Sequence, residues 1–214
     1  MVRLAHRSCR FLLPASFIAM LSLAAVPAAR GQLITIEPDN YAAGTALTNV
    51  SPYVTLMTLD GNNVQVPLFT VTSADGDSAT TDLSPTGSRV FAHSNVPFWN
   101  DVRKLEADFN GTTSSVSVSF AGGTPFTNEI GRLEVYGPAG NLLDFDVTGP
   151  TGYGQFETLS ITRPTADIAR AVIYTSEGSF GRLDALAFNT PVPEPGALGL
   201  LAACGALALR RRRK

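Results

Sequence analysis

The chain has 214 residues, 44% of them hydrophobic, with 16 Lys and Arg side chains against 18 Asp and Glu. Eight of the cations lie in the first ten and last five residues, which leaves residues 11–209 with eight cationic and 18 acidic side chains. A net charge near −10 excludes nucleic acid as an expected partner, because phosphates are bound by clustered Lys and Arg. Both cysteines, Cys9 and Cys204, lie near the ends, so the body is predicted to fold without disulfides.

Residues 1–30 have the features of a secretory signal peptide. Three arginines precede an apolar run, and small residues follow at Val26, Ala28 and Ala29. The export machinery and signal peptidase are therefore expected partners, with cleavage between residues 28 and 31. The alternative is an uncleaved anchor helix, which Pro14 and Pro27 disfavour.

Residues 31–189 are predicted to form one all-β domain, a jelly-roll-like antiparallel β-sandwich. Helical periodicity is nearly absent, and short β-rich runs recur about every ten residues between Gly, Asn and Asp turns. The predicted strands are LITI from Leu33, YVTLMTL from Tyr53, VQVPLFTV from Val64, RVFAH from Arg89, KLEADF from Lys104, SVSVSF from Ser115, RLEVYG from Arg132, NLLDFDV from Asn141, QFETLSI from Gln155, ARAVIYT from Ala169 and RLDALAF from Arg182.

Strict alternation between Ser115 and Phe120 indicates a strand with one wet and one buried face. In the second half of the body, the apolar strand residues are predicted to be buried. They are Leu133, Val135, Leu142, Phe145, Val147, Phe156, Leu159, Ile161, Val172, Tyr174, Leu183, Leu186 and Phe188.

Two acidic turns and the last strand suggest a structural calcium site. Hard oxygen ligands in tight glycine turns suit Ca²⁺, although the EF-hand pattern is not met after the first turn. Hairpin turns explain the same residues without a metal. The candidate ligands are Asp60, Asn62, Asp75, Asp77 and Asp184.

Phe98 and Trp99 form a candidate carbohydrate-binding platform, because aromatic rings stack on sugars and Asn and Asp residues flank this pair. A buried Trp in the core of the sandwich is the alternative interpretation. A polysaccharide of the extracellular matrix is the ligand class that such a platform suggests.

The catalytic inventory of the body is small, and no catalytic residue is assigned. His93 is the one histidine of the body, which excludes a two-histidine zinc site. A Ser-His-Asp triad around His93 is compatible with the sequence, but serines and aspartates are too abundant for this to be informative. The carboxylate pairs Asp144 with Asp146 and Glu106 with Asp108 occupy alternate strand positions, where solvated strand charges are the commoner explanation.

The C-terminal segment, residues 190–214, combines three features. Val192, Pro193, Glu194 and Pro195 form an extended acidic motif, because the prolines fix φ and remove two backbone donors. A short apolar run of about 14 residues follows, which as a helix spans about 21 Å of a hydrocarbon layer about 30 Å thick. The last five residues are cations, which favour the cytoplasmic side of a membrane: Arg210, Arg211, Arg212, Arg213 and Lys214.

Together these features closely resemble the PEP-CTERM sorting signal, a module also called the ice-binding protein C-terminal domain. The resemblance covers about the last two dozen residues. It implies recognition by an exosortase, an inner-membrane intermediate, and final delivery to the cell surface or to an extracellular matrix rich in exopolysaccharide. The segment from residue 130 to 189 also resembles jelly-roll bodies found before such tails, which implies a fold and no activity.

These observations lead to an exported, non-catalytic structural or adhesive β-sandwich as the expected function. A carbohydrate-binding module for exopolysaccharide is the alternative, and a secreted hydrolase is the third possibility. A simple tail anchor is the alternative to the sorting signal.

Overall fold

A computed structural model describes residues 31–77 and 81–190. The signal peptide predicted over residues 1–30, and the motif, apolar run and basic cluster predicted between residues 192 and 214, lie outside the described residues. Within the described ranges, no helix is long and apolar enough to cross a bilayer. One 3₁₀ turn at Pro38–Asn40 accompanies eleven strands: β1 Leu33–Ile36, β2 Val54–Asp60, β3 Val71–Asp75, β4 Arg89–His93, β5 Arg103–Thr113, β6 Ser115–Ala121, β7 Ile130–Tyr136, β8 Leu142–Val147, β9 Phe156–Thr162, β10 Ile168–Glu177 and β11 Arg182–Asn189.

The strands form a sandwich of two antiparallel sheets, which confirms the predicted all-β architecture. Sheet A has the strand order β3-β4-β11-β6-β9, with β1 also paired to β11. Sheet B has the order β2-β5-β10-β7-β8. Between them lies a single core, and alternate residues of strands such as β6 and β7 are buried in it, as the pleat of a strand requires. The valines and Phe120 of β6 are buried as their alternation predicts.

The first and last strands of the body are neighbours. β1 pairs with the second half of β11, so that Ile36 lies opposite Leu186. β4 pairs with the beginning of β11 at Leu183. Between these two neighbours β11 contains a β-bulge after Asp184, where Ala185 adopts a φ of 46°. Because a bulge adds one residue and redirects the side chains beside it, Asp184 points out of sheet A where its neighbour changes from β4 to β1.

Strand β8 is an edge of sheet B, and two of its acidic residues satisfy edge hydrogen bonds. Asp144 and Asp146 each accept a hydrogen bond from the backbone N–H of the following residue, at 2.9 Å. Asp146 also accepts one from the backbone N–H of Ser160 on β9, at 2.8 Å. Charged side chains at sheet edges hinder pairing with another chain, so this geometry favours the structural explanation of the Asp144–Asp146 pair.

One of the predicted strands is wrong. The run VQVPLFTV is not a strand from Val64, because a strand begins only at Val71. Residues before it instead run beside β2, where the N–H of Val66 donates to the carbonyl of Thr58.

The predicted buried layer is wrong at Tyr174, which is half-buried on β10, and at four positions on the two edge strands β8 and β9. Leu142, Phe145, Val147 and Phe156 are between 43% and 50% exposed. Phe145 lies opposite Glu134 on the outer face of sheet B, where the guanidinium of Arg132 lies over its ring.

Candidate metal centre

Three carboxylates converge outside sheet A, where β1 and β11 meet. Glu37 follows β1 directly, Asp39 lies in the 3₁₀ turn, and Asp184 projects from the bulge in β11. Each offers an oxygen atom within 4.8 Å of the others. The pairing of the first and last strands therefore assembles a site from residues far apart in the sequence.

Asp184 is fully buried, and backbone and hydroxyl donors hold its carboxylate in place. Its Oδ2 accepts hydrogen bonds from the backbone N–H of Thr86 at 2.9 Å, from Thr86 Oγ1 at 2.8 Å and from Ser84 Oγ at 3.2 Å. Its Oδ1 accepts one from the N–H of Ala185 at 2.8 Å. The loop after residue 83 thereby closes over the site and fixes the orientation of this carboxylate.

Two buried oxygens of the cluster have no hydrogen-bond partner in the described part of the chain, namely Glu37 Oε1 and Asp39 Oδ2. The other oxygen of Asp39 accepts hydrogen bonds from the backbone N–H groups of Ser88 at 2.9 Å and Arg89 at 3.2 Å. A buried acceptor without a partner costs free energy, so these two oxygens indicate a missing cation or donor.

The electrostatics of the cluster agree with this interpretation. Burial, followed by the negative charge of Asp184, raises the pKa of Glu37 to about 7. Burial also raises the pKa of Asp184. Crowded carboxylates resist ionisation when nothing neutralises them, and a bound divalent cation would reverse this effect.

Oxygen donors alone, without Cys or His, fit Ca²⁺ or Mg²⁺ better than a transition metal. Ca²⁺ accepts irregular sets of carboxylate, carbonyl and water oxygens, whereas Mg²⁺ demands near-ideal octahedral geometry. Glu37, Asp39 and Asp184 supply three carboxylates, so further ligands would have to be carbonyl groups or water.

Of the five residues predicted as calcium ligands, only Asp184 belongs to this cluster. Asp60 Oδ1 instead accepts hydrogen bonds from the N–H groups of Asn62 and Val64, at 2.8 and 2.9 Å, which is an ordinary turn. These hydrogen bonds lower the pKa of Asp60, and the one from Val64 has the largest effect. Asn62 is exposed.

The second acidic turn is also separate from the cluster. Asp75 is an exposed strand residue that forms a 3.9 Å ion pair with Arg89. Asp77 Oδ1 accepts hydrogen bonds from the backbone N–H groups of Leu83 and Ser84, at 2.8 and 3.0 Å. It organises the loop that reaches Asp184 without joining the group of converging carboxylates.

Glu37 and Asp39 are not among the calcium ligands predicted from the sequence. The available signal was an acidic pair around Pro38 directly after the first strand, together with Asp184 on the last strand. The first and last strands of the sandwich are paired, and this pairing brings the two acidic segments together.

The predicted aromatic platform at Phe98 and Trp99 is wrong in its main residue. Trp99 is fully buried, and its Nε1–H donates to the carbonyl oxygen of Phe91 at 2.8 Å. A ring in the core cannot stack on a sugar. Phe98 is half-buried, with its ring centroid 5.1 Å from that of Phe180.

His93 lies in an aromatic environment rather than in a catalytic one. Its ring packs edge-on against Phe69 and Trp99, with centroids 5.7 and 5.3 Å away. Its buried Nδ1 has no hydrogen-bond partner among the described residues, so no carboxylate orients the ring as a triad requires. Burial, followed by the positive charge of Arg103, lowers the pKa of His93.

Comparisons with known proteins show no family for this chain and give only distant structural matches. No protein-family model matches the chain, and no curated protein matches it. Among solved structures, the K2 cleaved adhesin domain of Lys-gingipain is 14% identical, with a TM-score of 0.47 over 74% of this chain and 99% of that domain. CsCBM6-3 from Clostridium stercorarium, solved with cellobiose, is 17% identical, with a TM-score of 0.35 over 73% of this chain and 93% of that one. TmCBM61, solved with β-1,4-galactotriose, is 12% identical, with a TM-score of 0.37 over 74% and 88% of the two chains. At these identities and TM-scores the matches transfer no activity to this chain.

Proposed function

We propose that this protein is an exported, non-catalytic structural or adhesive module whose β-sandwich holds one calcium ion between its first and last strands. The observation that carries the proposal is the pair of buried, unpartnered oxygens of Glu37 and Asp39 beside the buried Asp184. These oxygens have no partner in the described residues, and a Ca²⁺ ion would satisfy both of them.

Calcium would join three parts of the body. Glu37 and Asp39 follow β1, Asp184 lies on β11, and the loop containing Thr86 donates hydrogen bonds to Asp184. No cysteine lies between residues 31 and 190, so a disulfide cannot fasten these segments. A metal that binds only the folded form would stabilise it by mass action, which suits a protein exposed outside the cell.

Export and sorting form the second part of the proposal and rest on the sequence of the two ends. Residues 1–30 direct secretion, and the motif at Val192–Pro195 presents the tail to an exosortase. The apolar run and the cations from Arg210 to Lys214 hold the intermediate in the inner membrane with its C-terminus in the cytoplasm. Processing then releases the acidic body to the cell surface or to the extracellular matrix.

Thermal unfolding of the purified full chain tests the calcium site. After exhaustive chelation, Ca²⁺ at about 100 times its dissociation constant should stabilise the fold by about 2.7 kcal/mol. That corresponds to a rise in Tm of roughly 5–10 °C for a domain of this size. Mg²⁺ at the same concentration should have a smaller effect.

Asp60→Asn is the matched control, because Asp60 is an acidic turn residue outside the cluster. The control variant should keep the full calcium-induced rise in Tm. A wild-type chain whose Tm is unchanged by Ca²⁺, or a rise that disappears in Asp60→Asn, would contradict the assignment.

A further inference from the structure

The outer face of sheet B carries polar and aromatic side chains in rows across three central strands. The alternate residues Leu105, Leu133 and Ile173 are buried in the core, so their neighbours in sequence point outward. The strand register aligns the outward residues of β5, β10 and β7. One row is Asp108, Arg170 and Tyr136, and the next is Glu106, Val172 and Glu134.

Three cations of this face each lie over an aromatic ring. The guanidinium carbon of Arg170 is 4.5 Å from the ring centroid of Tyr136, and that of Arg132 is 4.4 Å from the centroid of Phe145. Lys104 Nζ is 4.6 Å from the centroid of Tyr174. Such contacts hold long side chains flat against the sheet, which reduces the rotamer entropy that a ligand would have to remove.

Carboxylates connect these pairs into a preorganised network. Glu134 accepts hydrogen bonds from Tyr136 Oη and from Arg132 Nε, both at 2.6 Å, and from Tyr174 Oη at 3.2 Å. Glu106, only 4% exposed, forms an ion pair with Arg170 at 3.5 Å. The centre of the face is therefore rigid before any ligand arrives.

The charges of the face balance one another. Lys104, Arg132 and Arg170 face Glu106, Glu134 and Asp108, in a body whose net charge is near −10. A polyanion would be repelled by the body and would find no excess of cations here, whereas a neutral ligand meets neither penalty. The face therefore suits an uncharged partner that carries many hydroxyl groups.

A hydroxyl-rich partner needs hydrogen-bond donors, hydrogen-bond acceptors and an apolar surface. These are provided by Arg170, Asp108 and Tyr136. Arg170 is half-exposed, lies opposite Asp108 in the strand register and pairs with Glu106 at 3.5 Å, so part of its five-donor guanidinium remains open to solvent. Asp108 beside it is exposed and offers carboxylate acceptors, and Tyr136 adds a half-exposed ring. The three residues lie on adjacent strands about 4.8 Å apart, so their side chains form one row across the sheet.

We propose that the outer face of sheet B binds a neutral, linear glycan chain that crosses the strands over Asp108, Arg170 and Tyr136. This inference rests on the proposed adhesive function and names the ligand class of the module. Guanidinium and carboxylate groups bind sugar hydroxyls, and the half-exposed Tyr136 ring, which has Arg170 over it, adds apolar contact area.

Native affinity electrophoresis of the full chain tests this inference, with hydroxyethylcellulose, laminarin or galactomannan in the gel and alginate as an anionic comparison. At least one neutral polysaccharide should retard the wild-type chain, and alginate should not. Asp108→Ala should weaken binding about tenfold, the loss expected for one hydrogen bond to a charged group. Because Asp108 is exposed, this variant should fold normally.

Arg170→Ala should abolish retardation, and its Tm is measured in parallel because the substitution leaves Glu106 without its ion-pair partner. Arg163→Ala is the matched control, because Arg163 belongs to neither row and pairs instead with Asp167 at 2.6 Å. Wild-type binding by Asp108→Ala and Arg170→Ala would overturn the inference, as would binding of alginate alone or of no neutral polysaccharide. Loss of binding in Phe180→Ala with Arg170→Ala unaffected would also overturn it, because the site would then lie at the loop end of the sandwich.

The outcome is independent of the calcium test. A chain whose Tm rises with Ca²⁺ but which binds no neutral glycan would keep the proposed calcium-stabilised module and lose this ligand assignment. A chain that binds glycan through Arg170 but ignores Ca²⁺ would lose the metal centre and keep the binding face.

Discussion

Glu37→Gln should stabilise the metal-free protein at alkaline pH while weakening its response to calcium. Without a cation, the carboxylate of Glu37 is crowded by burial and by Asp184, which raises its pKa from 4.5 to about 7. A raised pKa in the folded state means that stability is fully present below pH 4.5 and is lost as the pH rises through about 7. Glutamine resembles the protonated carboxyl and avoids this loss.

The magnitude follows from the pKa of Glu37 in the folded and unfolded states. A rise from 4.5 to about 7 corresponds to roughly 3 kcal/mol. Glu37 is only partly buried, so solvent screening reduces the expected gain of Glu37→Gln to about 1–2 kcal/mol at pH 8 in chelator. The gain should disappear at pH 4, where the wild-type carboxyl is protonated.

Urea unfolding of both chains from pH 4 to pH 8, with chelator and with saturating Ca²⁺, measures the difference. In calcium the order should reverse, because the variant lacks one anionic ligand of the cation. A Glu37→Gln chain less stable than wild type in chelator at pH 8, or an undiminished calcium response in the variant, would refute the reasoning.

Two further outcomes concern the sheet edge and the tail. Asp146→Ala should increase self-association, detected by light scattering, because it frees the N–H groups of Val147 and Ser160 on the edge strands; scattering equal to that of wild type would contradict the edge role. Glu194→Ala should leave unprocessed protein in the inner membrane of a host with the matching exosortase, as measured by cell fractionation and immunoblotting. Normal delivery of the variant to the cell surface would contradict the sorting proposal.

The sequence predicts the fold well where burial follows the strand period. The serines and valines of β6 alternate strictly, and the structure buries the valines as predicted. The same rule fails for Phe145 and Val147 on β8, because the period identifies two faces but cannot tell which one meets the core. On an edge strand the outward face is only partly covered, so apolar residues there look like core residues in the sequence.

The candidate site was predictable only in part, for a related reason. Asp184 is recognisable in the sequence as an acidic residue in the last strand. Glu37 and Asp39 can be identified as its neighbours only once the pairing of β1 with β11 is known. Asp60 and Asp75 resembled metal ligands because turn formation and oxygen coordination favour the same residues. The environment of Trp99 depends on its contact with Phe91, which no local pattern reveals.

The calcium content of the full chain after gel filtration in dilute calcium buffer tests the central claim most directly. Mass spectrometric metal analysis should find about one Ca²⁺ per wild-type chain, as one cluster of three carboxylates predicts, and markedly less in Glu37→Gln. Wild-type protein without bound calcium, or equal content in the two chains, would contradict a metal centre between β1 and β11.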